Sequence, residues 1–383
     1  MKFDFVVLGA AGQQGRIVSK DLLQGKYSIL LCDKEKVYDT YLTKNKKYVS
    51  SIRIDVRDVT RLVRIIENSK ANVVINCVEA DWNLHVLEGC IKSGVHSIDL
   101  GSKVKMTKKQ LGKDSLLKKK GLIHITGCGS VPGIGNVILK HAAQKFDKLD
   151  YVNVGYAWNS NIKKFVLPFS TQTLMEEFTE PADVMKNGVF IKKIPLNSVE
   201  NRIVNLVGKQ KLFLVRHPEV YTFYHYFKHK GLKNVKFYAG FPEHSFNVTR
   251  AMIEIGIGNK DAIGFNGFKI IPIEFLATIL KAIPFPKNYK EKENLWLEIC
   301  GTENGKRKTV KMECLIKPLR SWKEAGSNVG TGMTASIIAQ MIKQGIIKEM
   351  GSFAPEAVVP TKFFFKELSN RGLVIYENGK KII

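Results

Sequence analysis

The start of this chain switches period within a few residues, and that switch limits the folds open to it. Phe5–Leu8 is a continuous apolar run, Ile17, Val18, Leu22 and Leu23 have helical spacing, and the segment between them reads GAAGQQG. A buried strand, a tight turn and a helix account for the change. Gly9, Gly12 and Gly15 are spaced G-x-x-G-x-x-G, a variant of the dinucleotide fingerprint. In it, glycines permit the turn and let backbone N–H groups approach a pyrophosphate at the helix N-terminus. Ala10, Gln13 and Gln14 complete the expected phosphate cradle. The next apolar run, Ser28–Cys32, ends in Asp33, at about the 20-residue distance where a carboxylate reaches an adenosine ribose. The expected cofactor is therefore a nicotinamide dinucleotide. Asp33 favours NAD, because a carboxylate repels the 2′-phosphate of NADP; Lys34 and Lys36 pull toward NADP.

The same alternation continues down the chain. Strands are expected at Val49–Ile54, Val73–Cys77, Val95–Leu100 and Leu122–Thr126, and helices over Val59–Asn68, Trp82–Lys92 and Lys108–Lys119. About six strands in this order predict an α/β fold, a Rossmann-type doubly wound parallel sheet. Ligands of such sheets lie outside the carboxyl ends of the strands. That places Asp55, Val56, Cys77, Val78 and Gly101 beside the cofactor, with Asp99–Ser102 and Gly127–Gly135 close by. From about Leu149 the pattern changes to longer alternating strands, such as Tyr151–Trp158, Leu295–Cys300 and Thr309–Ile316. These predict an inserted α+β domain with an antiparallel sheet and helices on one face. Helices at Met333–Lys343 and near Thr361–Asn370 then return to the first domain. The expected division is residues 1–130 and 327–383 for the cofactor domain and 131–326 for the substrate and dimerisation domain.

With 383 residues the chain is long enough for about two cores. Six cysteines without a C-x-x-C pair read as free thiols of a cytoplasmic protein, and no signal peptide or membrane span is expected. A net charge of +25 would attract phosphate backbones. The lysines, however, lie in scattered short runs without an arginine-rich tract or a nucleic-acid-binding motif. No specific nucleic-acid partner is expected, and the charge would instead steer acidic metabolites.

Four stretches, VVINCVEADWNLHVLEGCIKSGVHSIDLGS, GCGSVPGIGN, FSTQTLMEEFTEPADVMKNG and GTGMTASIIAQMIKQGIIKEMGSFAPEAVVPTKFFFKELSNRGL, together resemble the saccharopine dehydrogenase family, and within it the lysine 6-dehydrogenase branch. The resemblance implies a Rossmann domain, an inserted catalytic and dimerisation domain, a homodimer, and NAD(P)-dependent chemistry on the C–N bond of an amino acid. Oxidative deamination of the lysine ε-amino group is the leading expectation. A reductive condensation to a secondary amine, as in saccharopine or carboxynorspermidine formation, is the alternative. A cofactor-binding protein without turnover, using its basic surface as a platform, is a third reading. Two departures from the family pattern stand out. Val131 occupies the place of an Asp that precedes Pro-Gly in saccharopine-forming members, and Phe241 replaces a histidine, with His244 three residues on.

Oxidising an amine at carbon needs a hydride acceptor near the carbon and a base for the proton. Asp99, at the end of the fifth strand, is the expected acid/base or ammonium anchor, and Glu79 and Asp81 follow the fourth strand. Asp81 doubles as a candidate helix cap. An amino-acid carboxylate calls for a guanidinium fork, and of Arg216, Arg250 and Arg320 the first is chosen for its place beside His217, a candidate general base. Asp99 and Arg216 are thus expected to hold the substrate from opposite domains. His225 and His229 lack a third ligand nearby, so no metal is expected. Cys77 and Cys128 read as buried thiols that could line the pocket.

Overall fold

The computed structural model describes residues 2–37, 40–101, 103–284, 286–322 and 326–382, apart from the side chains of residues 40, 43, 320 and 327. Ser102 and the side chain of Arg320 therefore lie outside the described residues. The N-terminal half builds strands β1 (Phe5–Leu8), β2 (Ile29–Asp33), β3 (Val49–Arg53), β4 (Val73–Asn76), β5 (His96–Asp99) and β6 (Ile123–Ile125). All pair in parallel. The short apolar runs at β1 and β4 are fully buried, as expected for strands covered on both faces.

The inserted domain contributes β7 (Lys148–Ser160), β8 (Ala182–Lys186), β9 (Val189–Lys193), β10 (Glu200–Val204), β11 (Gly208–Leu214), β12 (Asn234–Phe241), the small hairpin β13 (Ile263–Phe265) and β14 (Phe268–Ile270), then β15 (Glu291–Glu303) and β16 (Lys306–Ile316). The C-terminal segment is shared between the domains. Strand β17 (Gly351–Phe353) joins β6 as the seventh strand of the first sheet, in the order β17-β6-β5-β4-β1-β2-β3, whereas β18 (Val374–Glu377) and β19 (Lys380–Lys381) extend the second sheet from β16.

Several expectations need correction. The second sheet is mixed, because β12 runs parallel to β7; two strands far apart in sequence pair that way without any local signature. The expected helix over Lys108–Lys119 is two helices, Val104–Leu111 and Asp114–Lys119. The first sheet gains β17, a strand too short to show a period. The C-terminal return also includes the β18-β19 hairpin, which belongs to the other domain's sheet.

One apolar core runs through both domains. It contains Phe5, Val7 and Ile75 of the first sheet, Ile134 and Ile138 of the helix Ile134–Ala143, Leu295 and Leu297 of β15, and Ile337 and Ile338 of the helix Val329–Lys343. The strand order reverses between β1 and β4, and the carboxyl ends of those strands lie side by side with Leu8 opposite Asn76. That crevice is where a doubly wound sheet binds its ligand.

Candidate active site

The glycine loop bridges β1 and the helix Gln13–Gln24. A Cβ on Gly15 would lie 2.1 Å from the Gly9 carbonyl oxygen, so helix and loop touch backbone to backbone. Gly12 is the N-cap and supplies no capping side chain, leaving the first-turn N–H groups for an anion. The Asp33 carboxylate accepts from the Ala11 N–H at 2.8 Å and the Glu35 N–H at 2.9 Å, which fixes it at the rim of the loop. A groove of about 590 Å³ passes from Gly9, Gly12 and Asp33 over Asp55 and Val56 to Cys77, Val78 and Glu79. These residues fit a dinucleotide: the glycine loop would hold the pyrophosphate, Asp33 the ribose, and the strand ends the remainder. Ala10 is buried beneath the loop. Gln13 and Gln14 line the cavities beside the inserted domain rather than this groove, and Gln14 donates to Asn328 at the start of the C-terminal return.

A second cavity, of about 250 Å³, continues the crevice between the domains. Its floor is one face of the second sheet. Opposite residues of an antiparallel pair share a face, and Trp158 pairs with Glu293 and Tyr156 with Leu295. Tyr156, Trp158, Glu291 and Glu293 line the cavity, with Glu177 and Thr173 from the helix Thr171–Thr179 and His217 from the turn after β11. Gln14, Ser130, Val131 and Thr331 close it from the cofactor side.

The Tyr156 hydroxyl donates to Glu177 at 2.6 Å. Burial pushes the Glu177 carboxyl up to about 7, against the pull of Tyr156 and His217, which favour its ionised form. Glu291 and Glu293 are buried, and Tyr289 bonds Glu291. The His217 ring stacks on Phe237 at 3.8 Å, and its Nδ1 meets Glu219 at 2.6 Å. Among the described residues neither Lys nor Arg lines this cavity. Glu177 thus presents a buried carboxyl to the cavity, and a buried carboxylate gains from a cationic partner. A larger, predominantly apolar chamber of about 530 Å³ adjoins it, lined by Phe165, Leu167, Leu280 and Ile283 and also by Lys281, with Pro168, Phe169, Glu291 and Asn328 shared between the two.

The residues expected to act are only partly brought together. His217 lines the cavity; Glu79 is exposed in the cofactor groove. Asp99 lines neither. It is 2% exposed, and its Oδ1 accepts from Gly101 N at 2.8 Å, Thr126 Oγ1 at 3.0 Å and Gly127 N at 3.1 Å, while Gln110 bonds Oδ2. Its acceptor sites are spent on tying two loops together. Gly101 turns from the groove toward Pro132, whose Cγ would lie 2.5 Å from a Cβ there. Arg216 is held by Glu180 and, at 3.7 Å, by Glu176, in a cluster that also takes Lys103 of the cofactor domain and Lys260. The expected clamp of Asp99 and Arg216 is therefore not formed.

Of the other candidates, Arg250 pairs with Glu254 on the surface, and Asp81 sits in a short turn without capping the next helix. His244 lies outside both cavities, and Phe241 is core, packed on Trp158 at 5.6 Å. Cys128 is buried. No group of three or more His, Cys, Asp or Glu among the described residues is placed to hold a metal, and no helix among them is long and apolar enough to cross a membrane.

Sequence reasoning missed Glu177, Tyr156, Glu291 and Glu293. The signal was present in EKENLWLEIC: Glu291 and Glu293 fall in phase with Leu295, Leu297 and Ile299 on the period-2 inward face.

The sequence profile of the saccharopine dehydrogenase NADP binding domain matches residues 5–125, and that of the saccharopine dehydrogenase C-terminal domain matches residues 129–373. Carboxyaminopropylagmatine dehydrogenase of Synechocystis sp. is 23% identical, the match covering 97% of this chain and 96% of that protein. Carboxynorspermidine synthase of Vibrio cholerae is 24% identical over 80% of this chain and 77% of its own length. The apo saccharopine dehydrogenase (L-Glu forming) of Saccharomyces cerevisiae superposes with a TM-score of 0.77 at 12% identity, covering 100% of both chains. A glycine cradle at the switch point, an inserted sheet domain facing it, and profiles that span both halves identify the chain as an NAD(P)-dependent oxidoreductase belonging to the saccharopine dehydrogenase family.

Proposed function

We propose that this enzyme makes or cleaves the secondary amine that joins an aliphatic amine to an amino-acid aldehyde. The observation that carries this reading is the buried Glu177 carboxyl in the cavity between the domains, bonded there by the Tyr156 hydroxyl. The adjoining apolar chamber suits the methylene chain of a di- or polyamine. Two relatives named for substituted polyamines point the same way. When bound, the nicotinamide exchanges a hydride with the carbon next to nitrogen. Glu177 holds the cationic amine, His217 exchanges the proton of the reacting nitrogen, and Tyr156 and Trp158 shape the floor on which the chain lies.

Deamination of the lysine ε-amino group remains a second reading. It is favoured by Val131, which faces the cavity where saccharopine-forming members are expected to carry an Asp. Incubation with carboxyaminopropylagmatine, carboxynorspermidine, saccharopine and lysine, each with NAD and with NADP, separates the two by which substrate reduces the nicotinamide. Turnover of lysine alone would overturn the secondary-amine reading, and turnover of none would return the protein to a cofactor-binding role. The same reading includes a cytoplasmic homodimer. It is supported by six unpaired cysteines and by exposed Phe265, Phe268, Phe275 and Ile283 on the inserted domain, and sedimentation checks the assembly.

A further inference from the structure

His217 is the one imidazole lining the catalytic cavity among the described residues. Its partner Glu219 is fully buried at the start of the helix Glu219–Phe227. One turn along the same helix, Thr222 approaches Asn136 at 3.4 Å, and Asn136 donates to Glu356 Oε2 at 2.8 Å. Glu356 lies on the short helix Pro355–Val358. Glu219 Oε1 and Glu356 Oε1 are both buried without a hydrogen-bond partner, although they belong to elements that pack on each other. Glu356 also lines a separate cavity of about 390 Å³, with Lys140, Tyr226, His229 and Lys230, that shares no residue with the catalytic one.

We infer that Glu219 and Glu356 share a proton and relay it between His217 and this second cavity. The inference rests on the proposed amine chemistry. In the oxidative direction the substrate carbon gives its hydride to the nicotinamide, and the nitrogen gives its proton to one imidazole nitrogen. The proton on the other nitrogen passes to Glu219, and Glu356 delivers one proton to solvent. The reverse direction returns it by the same groups, so no further reactant is needed. Glu219 is a positioning residue for His217 as well as a carrier.

Two carboxylates in one buried site cannot both ionise freely. Burial, reinforced by Glu219, pushes Glu356 up to about 7, opposed by bonds from Thr222 and Asn136. The other charged or titratable groups facing Glu356 are Lys140, whose Nζ donates to the Ala357 and Val359 carbonyls, and Tyr226, whose hydroxyl is raised by burial and by Glu356. Glu349 acts on Lys140, His229 and Lys230 line the same second cavity, and on the other side Glu177 shares the catalytic cavity with His217.

Infrared spectroscopy of the full-length protein with NAD bound tests the shared proton without a substrate. In a Glu177→Gln background, which removes the band of that carboxyl, a neutral carboxyl band is expected at pH 7 and is lost when either Glu219→Gln or Glu356→Gln is added. With carboxynorspermidine as the probe substrate, Glu356→Gln is expected to lower kcat about tenfold to a hundredfold with KM and NAD affinity unchanged, and added formate is expected to restore part of it. A band that persists in both variants, or an unchanged kcat and pH profile in Glu356→Gln, overturns the relay. A band lost in both with no turnover of any amine upholds the shared proton and overturns the substrate reading instead.

Discussion

Replacing Glu177 with Gln tests the cationic site directly, since it keeps the shape of the side chain and its contact with the Tyr156 hydroxyl at 2.6 Å while removing the charge. A charge-assisted contact in a desolvated cavity contributes about 1.5–3 kcal/mol, so KM for the amine should rise roughly 10- to 150-fold at pH 8. The wild-type carboxyl titrates at about 7 because burial opposes its charge. It is therefore ionised at pH 8 and about nine-tenths neutral at pH 6. Wild-type KM should climb by roughly tenfold between those values, whereas the variant should show no slope, so the two approach each other at pH 6. Initial rates with carboxynorspermidine or carboxyaminopropylagmatine give KM and kcat separately, and kcat should change little, because an ammonium remote from the reacting carbon is held alike in ground and transition states. A variant whose KM stays within twofold of wild type across this range, or keeps the same pH slope, would refute an ionic role for Glu177.

Gly15→Ala places a methyl 2.1 Å from the Gly9 carbonyl oxygen, so calorimetry should find NAD binding lost while circular dichroism shows the fold retained. Asp33→Asn removes the charge pinned by the Ala11 and Glu35 N–H groups; wild type should bind NAD more tightly than NADP, and the variant should narrow that preference. Asp99→Asn should lower stability by about 1–3 kcal/mol in denaturant titrations and leave KM untouched, because Asp99 ties loops together outside the cavity. Glu356 binds its proton more tightly folded, at about 7, than at its ordinary value of 4.5. It therefore adds stability below pH 4.5 that is lost as pH rises through 7, about 3 kcal/mol in all, and Glu356→Gln should flatten that part of the stability profile.

The cofactor domain was legible because its signals are local. The glycine loop, the buried runs at Phe5–Leu8 and Val73–Asn76 and the acid ending β2 each occupy one short window. Strand β17 was not, since GSF becomes a strand only through its pairing with β6. The site residues divide on the same principle. Strand-end position correctly put Asp99 in the right layer, but a carboxylate there is captured by N–H groups two residues along and across the next strand end. The fate of Arg216 was decided by Glu176 and Glu180, some forty residues away, which no spacing rule connects to it. Glu291 and Glu293 could have been found, because a glutamate in phase with a buried apolar face is an anomaly that calls for a ligand or a partner.

The interlocked C-terminal segment governs how the chain matures on the ribosome. The helix Val329–Lys343 packs on the helix Gln13–Gln24 and on β4 and β5, and β17 completes the first sheet's edge beside β6. Until some 350 residues have emerged, the first sheet therefore presents a bare apolar face and an open edge. The inserted sheet, in turn, awaits β18 and β19, near residue 380. Neither sheet is completed by its own contiguous stretch of sequence, and the waiting N-terminal half is the species with most to gain from a chaperone.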